Sequence, residues 1–305
     1  MSVLVVGSVA YDGIEAPAGK VDRILGGSAT YISLASGYFT QPVRLVGTVG
    51  YDFAESDKKL LKDKGVDMEG FKVDESGLTF FWKGRYHENL NNRDTLDTQL
   101  NVFEHFDPVI PEVYKGSRIV CLGNIAPELQ LKVLDQVRGP KLTICDTMNF
   151  WISGSREALD EVIKRVDVLI INDQEAQELT GESNLNVCAR KIRQMGPKYL
   201  IIKKGEHGAV LYSEQDMFSA PAFPLKTIVD PTGAGDSFLG GFAGWLSWSD
   251  RINEENLRRA VVYGSVMASY CVEDFGPNRL TQLRKFDIDT RYDVFKKMSQ
   301  IPGRL

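Results

Sequence analysis

Short apolar runs alternate with helical stretches along most of this chain of 305 residues. Each run is bounded by polar or turn residues, which is typical of a strand that is buried on both faces. The predicted strands are Val3–Val6, Arg44–Val49, Arg118–Leu122, Leu142–Cys145, Val168–Ile171 and Leu200–Ile202. The predicted helices are Ala29–Phe39, Ala54–Lys64, Pro127–Gln136, Arg156–Arg165, Gln174–Thr180 and Asn186–Met195. This alternation predicts an α/β fold with an open, mostly parallel sheet covered on both faces. Such sheets bind ligands beyond the carboxyl ends of their strands.

The stretch from Asp230 to Leu246 places a glycine turn directly before an apolar helix. It begins Asp-Pro-Thr-Gly-Ala-Gly-Asp and continues into a predicted helix from Ser237. The apolar side chains of this helix share one stripe at helical spacing: Phe238, Leu239, Phe242, Trp245 and Leu246. The first N–H groups of a helix lack partners within the helix, so they form an anion site. The small residues Gly233, Ala234 and Gly235 would let the backbone approach a phosphate.

Asp236 places a carboxylate beside this predicted anion site. If the anion is a phosphoryl group in transit, the carboxylate can take the proton of an attacking hydroxyl. The structural alternative is an aspartate that caps a helix after a glycine turn. The stretch is not a dinucleotide fingerprint, because Phe238 stands where the third glycine belongs, and the chain has no G-x-x-x-x-G-K-[ST] loop.

The full string from Asp230 to Phe238 resembles the C-terminal signature of the ribokinase-like (PfkB) carbohydrate kinases, which phosphorylate sugars and nucleosides with ATP. The resemblance covers nearly the whole chain and implies one kinase domain, 1–305, folded as a three-layer sandwich with a small β lid. ATP and Mg²⁺ are implied as phosphoryl donor and metal. The implied catalytic residues are Asp236 as base, with Gly233, Ala234 and Gly235 around the phosphoryl group. Asp230 and Thr232 match positions that bind a monovalent cation in many members, which implies K⁺.

Residues near the amino end are predicted to bind the substrate. Asp12 follows the first strand, where its carboxylate could accept bonds from two sugar hydroxyls, although a lone aspartate in a turn is often structural. Gly26 and Gly27 precede a helix, where they either touch a ligand or make a turn. The resemblance implies that these residues lie against the sugar. Tyr31 stands where the family usually has an asparagine that bonds a sugar hydroxyl, so its phenol either replaces that bond or narrows the pocket.

Asn172 and Glu175 follow a predicted strand and are typical of a helix N-cap with its partner at the third helical position. The resemblance adds a second role to this pair. It implies that both residues lie near the metal and the phosphates, with Glu175 holding a Mg²⁺-bound water.

The stretch Lys203–Gly208 predicts a tight turn between two strands. In the family this loop lies along the nucleotide, so Lys203, Gly205 and Gly208 are expected to contact it. Lys203 is either a phosphate ligand or a solvated surface lysine. Gly264 stands where some members have an asparagine near adenine, and it is assigned to the nucleotide site on that basis.

Two segments, about 12–24 and 78–105, interrupt the β-α alternation. Thr79–Tyr86 is aromatic and β-prone, and a polar stretch follows it. The segments form either an ordinary surface hairpin or a small lid over the active site; the resemblance implies the lid, and a homodimer through it. Arg85 and Asn92 are the predicted substrate contacts of the lid, within a wider group of polar donors that includes Asn91 and Arg93.

The composition narrows the classes of partner. A formal net charge of −5 argues against a nucleic-acid-binding surface. The four cysteines are far apart, which suits free thiols in a reducing cytoplasm, and neither a signal peptide nor a membrane segment is expected. We therefore expect a cytoplasmic kinase that phosphorylates a hydroxymethyl group of a sugar or sugar-like molecule. A nucleoside kinase is the alternative, and a non-catalytic ligand sensor on the same fold is a third hypothesis.

Overall fold

The computed structural model describes residues 2–214 and 216–300. Its strands, numbered along the chain, are β1 (Val3–Val6), β2 (Ala10–Ala16), β3 (Gly19–Gly26), β4 (Val43–Gly50), β5 (Val66–Asp74), β6 (Phe81–Tyr86), β7 (Arg93–Gln99), β8 (Ile119–Leu122), β9 (Leu142–Asp146), β10 (Val168–Asn172), β11 (Tyr199–Lys203), β12 (Ala209–Tyr212) and β13 (Met217–Ala220). Nine of them form the central sheet, in the order β13-β12-β11-β10-β9-β8-β1-β4-β5. This sheet is parallel from β11 to β5, and β12 and β13 add an antiparallel edge.

Helices cover both faces of the central sheet. They are α1 (Ser28–Ser36), α2 (Glu55–Asp63), α3 (Pro127–Gln136), α4 (Asn149–Gly154), α5 (Arg156–Arg165), α6 (Asp173–Thr180), α7 (Leu185–Gln194), α8 (Ala234–Ser249), α9 (Glu254–Cys271), α10 (Asn278–Thr281) and α11 (Lys285–Met298). Alternate residues of each strand face opposite layers. Val3 and Val5 of β1 belong to the core under α1, α2, α8 and α9, whereas Leu4 and Val6 belong to the core under α3, α5, α6 and α7. No helix in the described ranges is long and apolar enough to cross a membrane.

The α/β alternation predicted from the sequence is confirmed, and α3 and α5 have the predicted bounds. Two strands of the central sheet, β5 and β13, were not predicted. β5 begins Val66-Asp67-Met68-Glu69, so it lacks the continuous apolar run that identified the inner strands. It lies at the edge of the sheet, where a strand is only partly buried and polar residues are tolerated.

The two segments that interrupt the alternation pair with each other in a second, four-stranded sheet, here called the lid sheet. Its order is β3-β2-β6-β7, with β2 and β6 parallel and the outer pairs antiparallel. The strands of this sheet span 10–26 and 81–99, close to the predicted 12–24 and 78–105. In the sequence, β4 and β5 of the central sheet lie between these two segments. The β2–β6 pairing brings the segments together in space.

Candidate active site

The glycine turn before α8 exposes a backbone amide at the start of a buried helix. Gly233 is the N-cap of α8 and has φ 74°, a left-handed conformation that favours glycine. The helix begins at Ala234, before its predicted start at Ser237. Ala234 N–H donates to the Pro231 carbonyl at 3.2 Å, and Ser237 N–H donates to the Gly233 carbonyl at 2.8 Å. Between them, the N–H of Gly235 has no backbone acceptor within the described part of the chain, so it is available to an anion.

Asp236 lies in the first turn of α8 with a buried carboxylate. Its Oδ1 has no hydrogen-bond partner among the described residues. The pKa of Asp236 is raised to about 7: burial is the main cause, the charge of Asp146 adds to the rise, and the positive charges of Lys203 and Arg93 oppose it. A carboxylate with this pKa can accept a proton at neutral pH and still be partly ionised beforehand.

Lys203 lies beside the glycine turn, so it is not a solvated surface lysine. Its Nζ is 3.3 Å from Asp146 Oδ1, and a methyl group at Gly235 would lie 2.7 Å from the same Nζ. Burial alone would lower the pKa of Lys203, but the carboxylates of Asp146, Glu175 and Asp236 outweigh burial and raise it. A largely buried ammonium group therefore stands next to the free amide of Gly235, an arrangement that can receive a phosphate group.

Asp146 is a residue of this site that the sequence analysis missed. It is the last residue of β9 and is buried. Burial raises its pKa, while the neighbouring Lys203 lowers it. The predicted strand stopped at Cys145, one position earlier. A carboxylate at the carboxyl end of a strand was the signal that selected Asp12, and the same signal applies to Asp146.

Asn172 and Glu175 form the predicted N-cap arrangement of α6. Asn172 Oδ1 accepts the N–H of Glu175 and Glu175 Oε2 accepts the N–H of Asn172, both at 2.7 Å. Burial raises the pKa of Glu175 to about 7; Lys203 lowers it and Asp146 raises it. No group of three or more His, Cys, Asp or Glu side chains among the described residues could hold a metal ion. The role of Glu175 in holding a Mg²⁺-bound water stays a prediction.

The loop after β11 makes the predicted tight turn and touches the lid sheet. Residues Gly205–His207 form one turn of 3₁₀ helix, and Lys204 N–H donates to the Gly208 carbonyl at 2.7 Å. A methyl group at Gly205 would lie 2.6 Å from Asn91 Oδ1, so the tip of the lid reaches this loop. The contact of Gly205 and Gly208 with a nucleotide stays a prediction.

Gly264 is assigned to the nucleotide site from the family resemblance, and its contact with a nucleotide stays a prediction. It is buried inside α9, where a methyl group would lie 2.8 Å from the Phe238 carbonyl oxygen of α8. The missing side chain allows α8 and α9 to pack closely, and this packing explains the glycine.

Asp12, Gly26 and Gly27 come together at the root of the lid sheet, as predicted for a substrate site. Asp12 is buried, and a methyl group at Gly26 would overlap its Oδ2. The pKa of Asp12 is raised to about 8, mainly by burial and also by the nearby charges of Asp230 and Asp236. The contact of Asp12, Gly26 and Gly27 with a sugar hydroxyl stays a prediction. The Asp12 carboxylate lies close enough to the Asp236 carboxylate for their charges to interact.

Tyr31 fills space directly over the glycine turn. A methyl group at Gly233 would lie 2.5 Å from the Tyr31 ring, so the ring packs flat against that residue. Its hydroxyl is buried and has no hydrogen-bond partner among the residues that the structure describes. Burial raises the pKa of Tyr31 well above its usual range, so the phenol is a neutral donor that lacks an acceptor.

Asp230 holds the glycine turn against a second loop. Its Oδ1 accepts the N–H of Thr232 at 2.8 Å and its Oδ2 accepts the N–H of Gly276 at 2.9 Å. Thr232 Oγ1 donates to the Tyr86 hydroxyl of the lid sheet at 3.0 Å. Burial raises the pKa of Asp230 in spite of these bonds. The role of Asp230 and Thr232 as potassium ligands stays a prediction.

The pleat of β6 separates its residues between two faces, and this corrects the assignment of Arg85. Tyr86 is buried against Thr232, whereas Arg85 lies on the opposite face and pairs with Glu15 at 2.8 Å. Arg85 therefore points away from the cleft. Asn92 lies in the exposed turn between β6 and β7, where its carbonyl accepts the N–H of His87 at 3.1 Å. The structure brings no described site residue to its side chain.

The chain is similar in sequence to known kinases. Residues 2–283 match the model of the pfkB family carbohydrate kinase. The chain is 30% identical over 247 residues to a cytidine kinase of Thermococcus kodakarensis, covering 79% of this chain and 87% of that one. It is 29% identical over 269 residues to a nucleoside kinase of Methanothermobacter thermautotrophicus, covering 84% of this chain and 81% of that one.

A similar solved structure is that of an E. coli protein assigned as ribokinase II, in complex with ATP and Mg²⁺. Its sequence is 20% identical to this chain, and the two structures have a TM-score of 0.79 over 96% of this chain and 99% of that one. The ribokinase-like fold predicted from the sequence is thereby confirmed. The family match over residues 2–283 and the 30% identity to the cytidine kinase show that the chain belongs to the pfkB family of carbohydrate kinases.

Proposed function

We propose that this protein is an ATP-dependent, Mg²⁺-requiring nucleoside kinase that phosphorylates a hydroxymethyl oxygen of its substrate. The observation that carries the proposal is the position of Asp236. A buried carboxylate with a free Oδ1 and a pKa near 7 stands beside the available amide of Gly235 and the ammonium group of Lys203. A base and an anion site in contact are the parts that phosphoryl transfer to an alcohol needs.

The reaction follows from these neighbours. The hydroxymethyl oxygen forms a bond to the γ-phosphorus of ATP while its proton moves to an oxygen of Asp236. The bond between the γ-phosphorus and the bridging oxygen breaks, and its electron pair leaves with ADP. The Gly235 N–H and the Lys203 ammonium group donate to the phosphoryl oxygens as charge develops on them. Asp12 holds the acceptor by its other hydroxyls.

Mg²⁺ would be held by Glu175 and Asp146 through water and would neutralise charge on the ATP phosphates. Both carboxylates are buried with raised pKa values, so a cation beside them would relieve the cost of their ionisation. The E. coli protein assigned as ribokinase II binds ATP and Mg²⁺, which supports ATP as the phosphoryl donor and Mg²⁺ as the metal here.

A nucleoside is favoured over a free sugar by the relatives and by the lid. Curated relatives at 29–30% identity are a cytidine kinase and a nucleoside kinase. Trp82 and Tyr86 share one face of β6, and the indole ring of Trp82 lies over Gly84 on that face. An aromatic ring on this face of the lid is suited to stacking on a base. The sugar kinase expected from the sequence becomes the second candidate.

A panel of acceptors tests this proposal. The protein would be incubated with ATP and Mg²⁺ and, separately, with cytidine, uridine, adenosine, guanosine, inosine, ribose, fructose and inositol, and ADP release and the phosphorylated product would be measured. We expect phosphorylation of at least one nucleoside, with D236N as the inactive control. Turnover of sugars alone would support the second candidate, and ligand binding without turnover would support the sensor hypothesis.

A further inference from the structure

Arg93, the first residue of β7, differs from the other cations of the lid sheet. Lys20, Lys83 and Arg85 pair with Glu15 or Asp22 on the outer face. Arg93 makes no ion pair with any residue that the structure describes, and its guanidinium carbon lies 5.9 Å from the centre of the Trp82 ring. An exposed arginine that lies near an aromatic ring and lacks a counter-ion is available to an anion from outside the chain.

The strand pairing places Arg93 between the two halves of the active site. In the register of β6 and β7, Arg93 is the partner of Tyr86, whose hydroxyl is bonded to Thr232 in the glycine turn. Asn91, two positions before Arg93, lies against Gly205 in the loop after β11. Arg93 is thus flanked on one side by a contact with the turn that leads to Asp236 and on the other by a contact with the predicted nucleotide loop.

The effect of the Arg93 charge on two carboxylates of the core agrees with this position. Its positive charge lowers the pKa of Asp236 in α8 and of Glu175 in α6, on two different elements of the core. A phosphoryl group moving from ATP to an acceptor near Asp236 would lie between these two carboxylates. Lys203 approaches the same region from β11, so the lid and the core each supply one cation.

We propose that Arg93 is a catalytic residue, an arginine carried by the lid that donates hydrogen bonds to the γ-phosphoryl oxygens during transfer. The inference rests on the proposed function and adds a residue to it. The guanidinium group neither forms nor breaks a covalent bond and exchanges no proton. It stabilises the charge that appears as the bond to the acceptor oxygen forms and the bond to the bridging oxygen breaks.

The location on the lid has a functional consequence. Asp236, Gly235 and Lys203 are fixed in the core, so they are in place whether or not the lid is closed. Arg93 reaches them only while the Tyr86–Thr232 and Asn91–Gly205 contacts hold the lid down. The last cation would therefore join the site only when the acceptor is covered, which would limit transfer of the phosphoryl group to water.

Binding measurements test the inference without any acceptor. Calorimetry in Mg²⁺ would compare ADP with the ATP analogue that has an imido bridge between its β- and γ-phosphorus atoms, for the wild type, R93Q and R93K. R85Q is the matched control, because it removes a lid arginine that faces away from the cleft. We expect R93Q to weaken the analogue about tenfold or more, as for a lost hydrogen bond to a charged group, and ADP by less than about twofold. R85Q should leave both affinities unchanged.

Two results would overturn the inference: equal losses for ADP and the analogue, or no change in either. Because no acceptor is present, these outcomes are independent of whether the nucleoside assay succeeds. Once an acceptor is known, R93Q should lower kcat about 10³-fold or more, the range for an arginine at a transferring phosphoryl group, with R93K intermediate. A higher KM for the acceptor at unchanged kcat would also overturn it and would assign Arg93 to an anionic acceptor.

Discussion

At the scale of single residues, the pKa of Asp236 near 7 makes catalysis depend on pH. Because burial is the main cause of the raised pKa, the carboxylate becomes protonated as the pH falls through 7, and a protonated base cannot accept the proton of the acceptor. We therefore expect kcat/KM for the acceptor to decline below pH 7. D236N should lower kcat about 10²–10⁴-fold while the imido analogue of ATP still binds. A variant that retained more than about a tenth of the turnover would contradict the role of general base.

The unpartnered hydroxyl of Tyr31 predicts a contact with the substrate. If the phenol bonds an acceptor hydroxyl, Y31F should raise the acceptor KM about threefold to tenfold, the effect of one neutral hydrogen bond, and leave the KM for ATP unchanged. Y38F is the matched control, since the Tyr38 hydroxyl already donates to the Leu280 carbonyl. Steady-state kinetics of both variants would decide the point. An unchanged acceptor KM in Y31F would leave only the packing of the ring against Gly233 as its role.

The buried carboxyl group of Asp12 is expected to lower the free energy of unfolding by an amount that increases with pH. Its pKa of about 8 in the folded protein lies above the value of an exposed aspartate, because the carboxyl group is buried. Its contribution to stability is thus complete only below the unfolded pKa and is lost as the pH rises toward 8. D12N should therefore raise the melting temperature of the ligand-free protein, and by more at pH 8 than at pH 5. Equal shifts at both pH values would contradict the raised pKa.

At the scale of elements, the turn held by Asp230 predicts an effect of monovalent cations. The carboxylate already accepts two backbone N–H groups, yet its pKa remains raised by burial, so a cation beside it would stabilise the charged form. We expect a higher kcat in K⁺ than in Na⁺ or tetramethylammonium at equal ionic strength, because the turn aims the Gly235 amide. D230N should remove the difference between the salts. Equal rates of the wild type in all of them would exclude a cation at this turn.

The order of elements was predictable from the sequence, but the direction of individual side chains was not. Buried strands carry a continuous apolar signal, so β1, β8 and β10 were found, while the half-polar edge strand β5 was missed. Arg85 and Arg93 look alike in the sequence. Which of them faces the cleft depends on strand register, and a shift of one residue would exchange the two faces. Gly264 illustrates the same limit in a helix, since a buried helix shows no polar side from which its contacts could be deduced.

The site residues divide in the same way. Asp236 and the Gly26–Gly27 pair were predicted because each stands at the start of a helix, where backbone geometry alone confines it. Asp12 was selected as a carboxylate that follows the first strand, and the structure places it inside β2 instead. Asp146 stands at the end of β9 and was missed only because the predicted strand was ended too early. The pairing of Lys203 with Asp146 could not be predicted, because it joins two strands that are separated along the chain by one strand, β10, and four helices, α4 to α7.

At the scale of the whole molecule, the outer face of the lid sheet bears on the predicted homodimer. Glu15 lies within 3.3 Å of Lys83 and 2.8 Å of Arg85, and Lys20 pairs with Asp22 at 2.9 Å. Stable interfaces are depleted of charged residues at their centre, and desolvating paired charges is costly. We therefore expect a monomer of 34.0 kDa at micromolar concentration, measured by sedimentation velocity. A dimer that R85E converts to a monomer with unchanged kcat would contradict this expectation and place the interface on the lid, as the family resemblance implies.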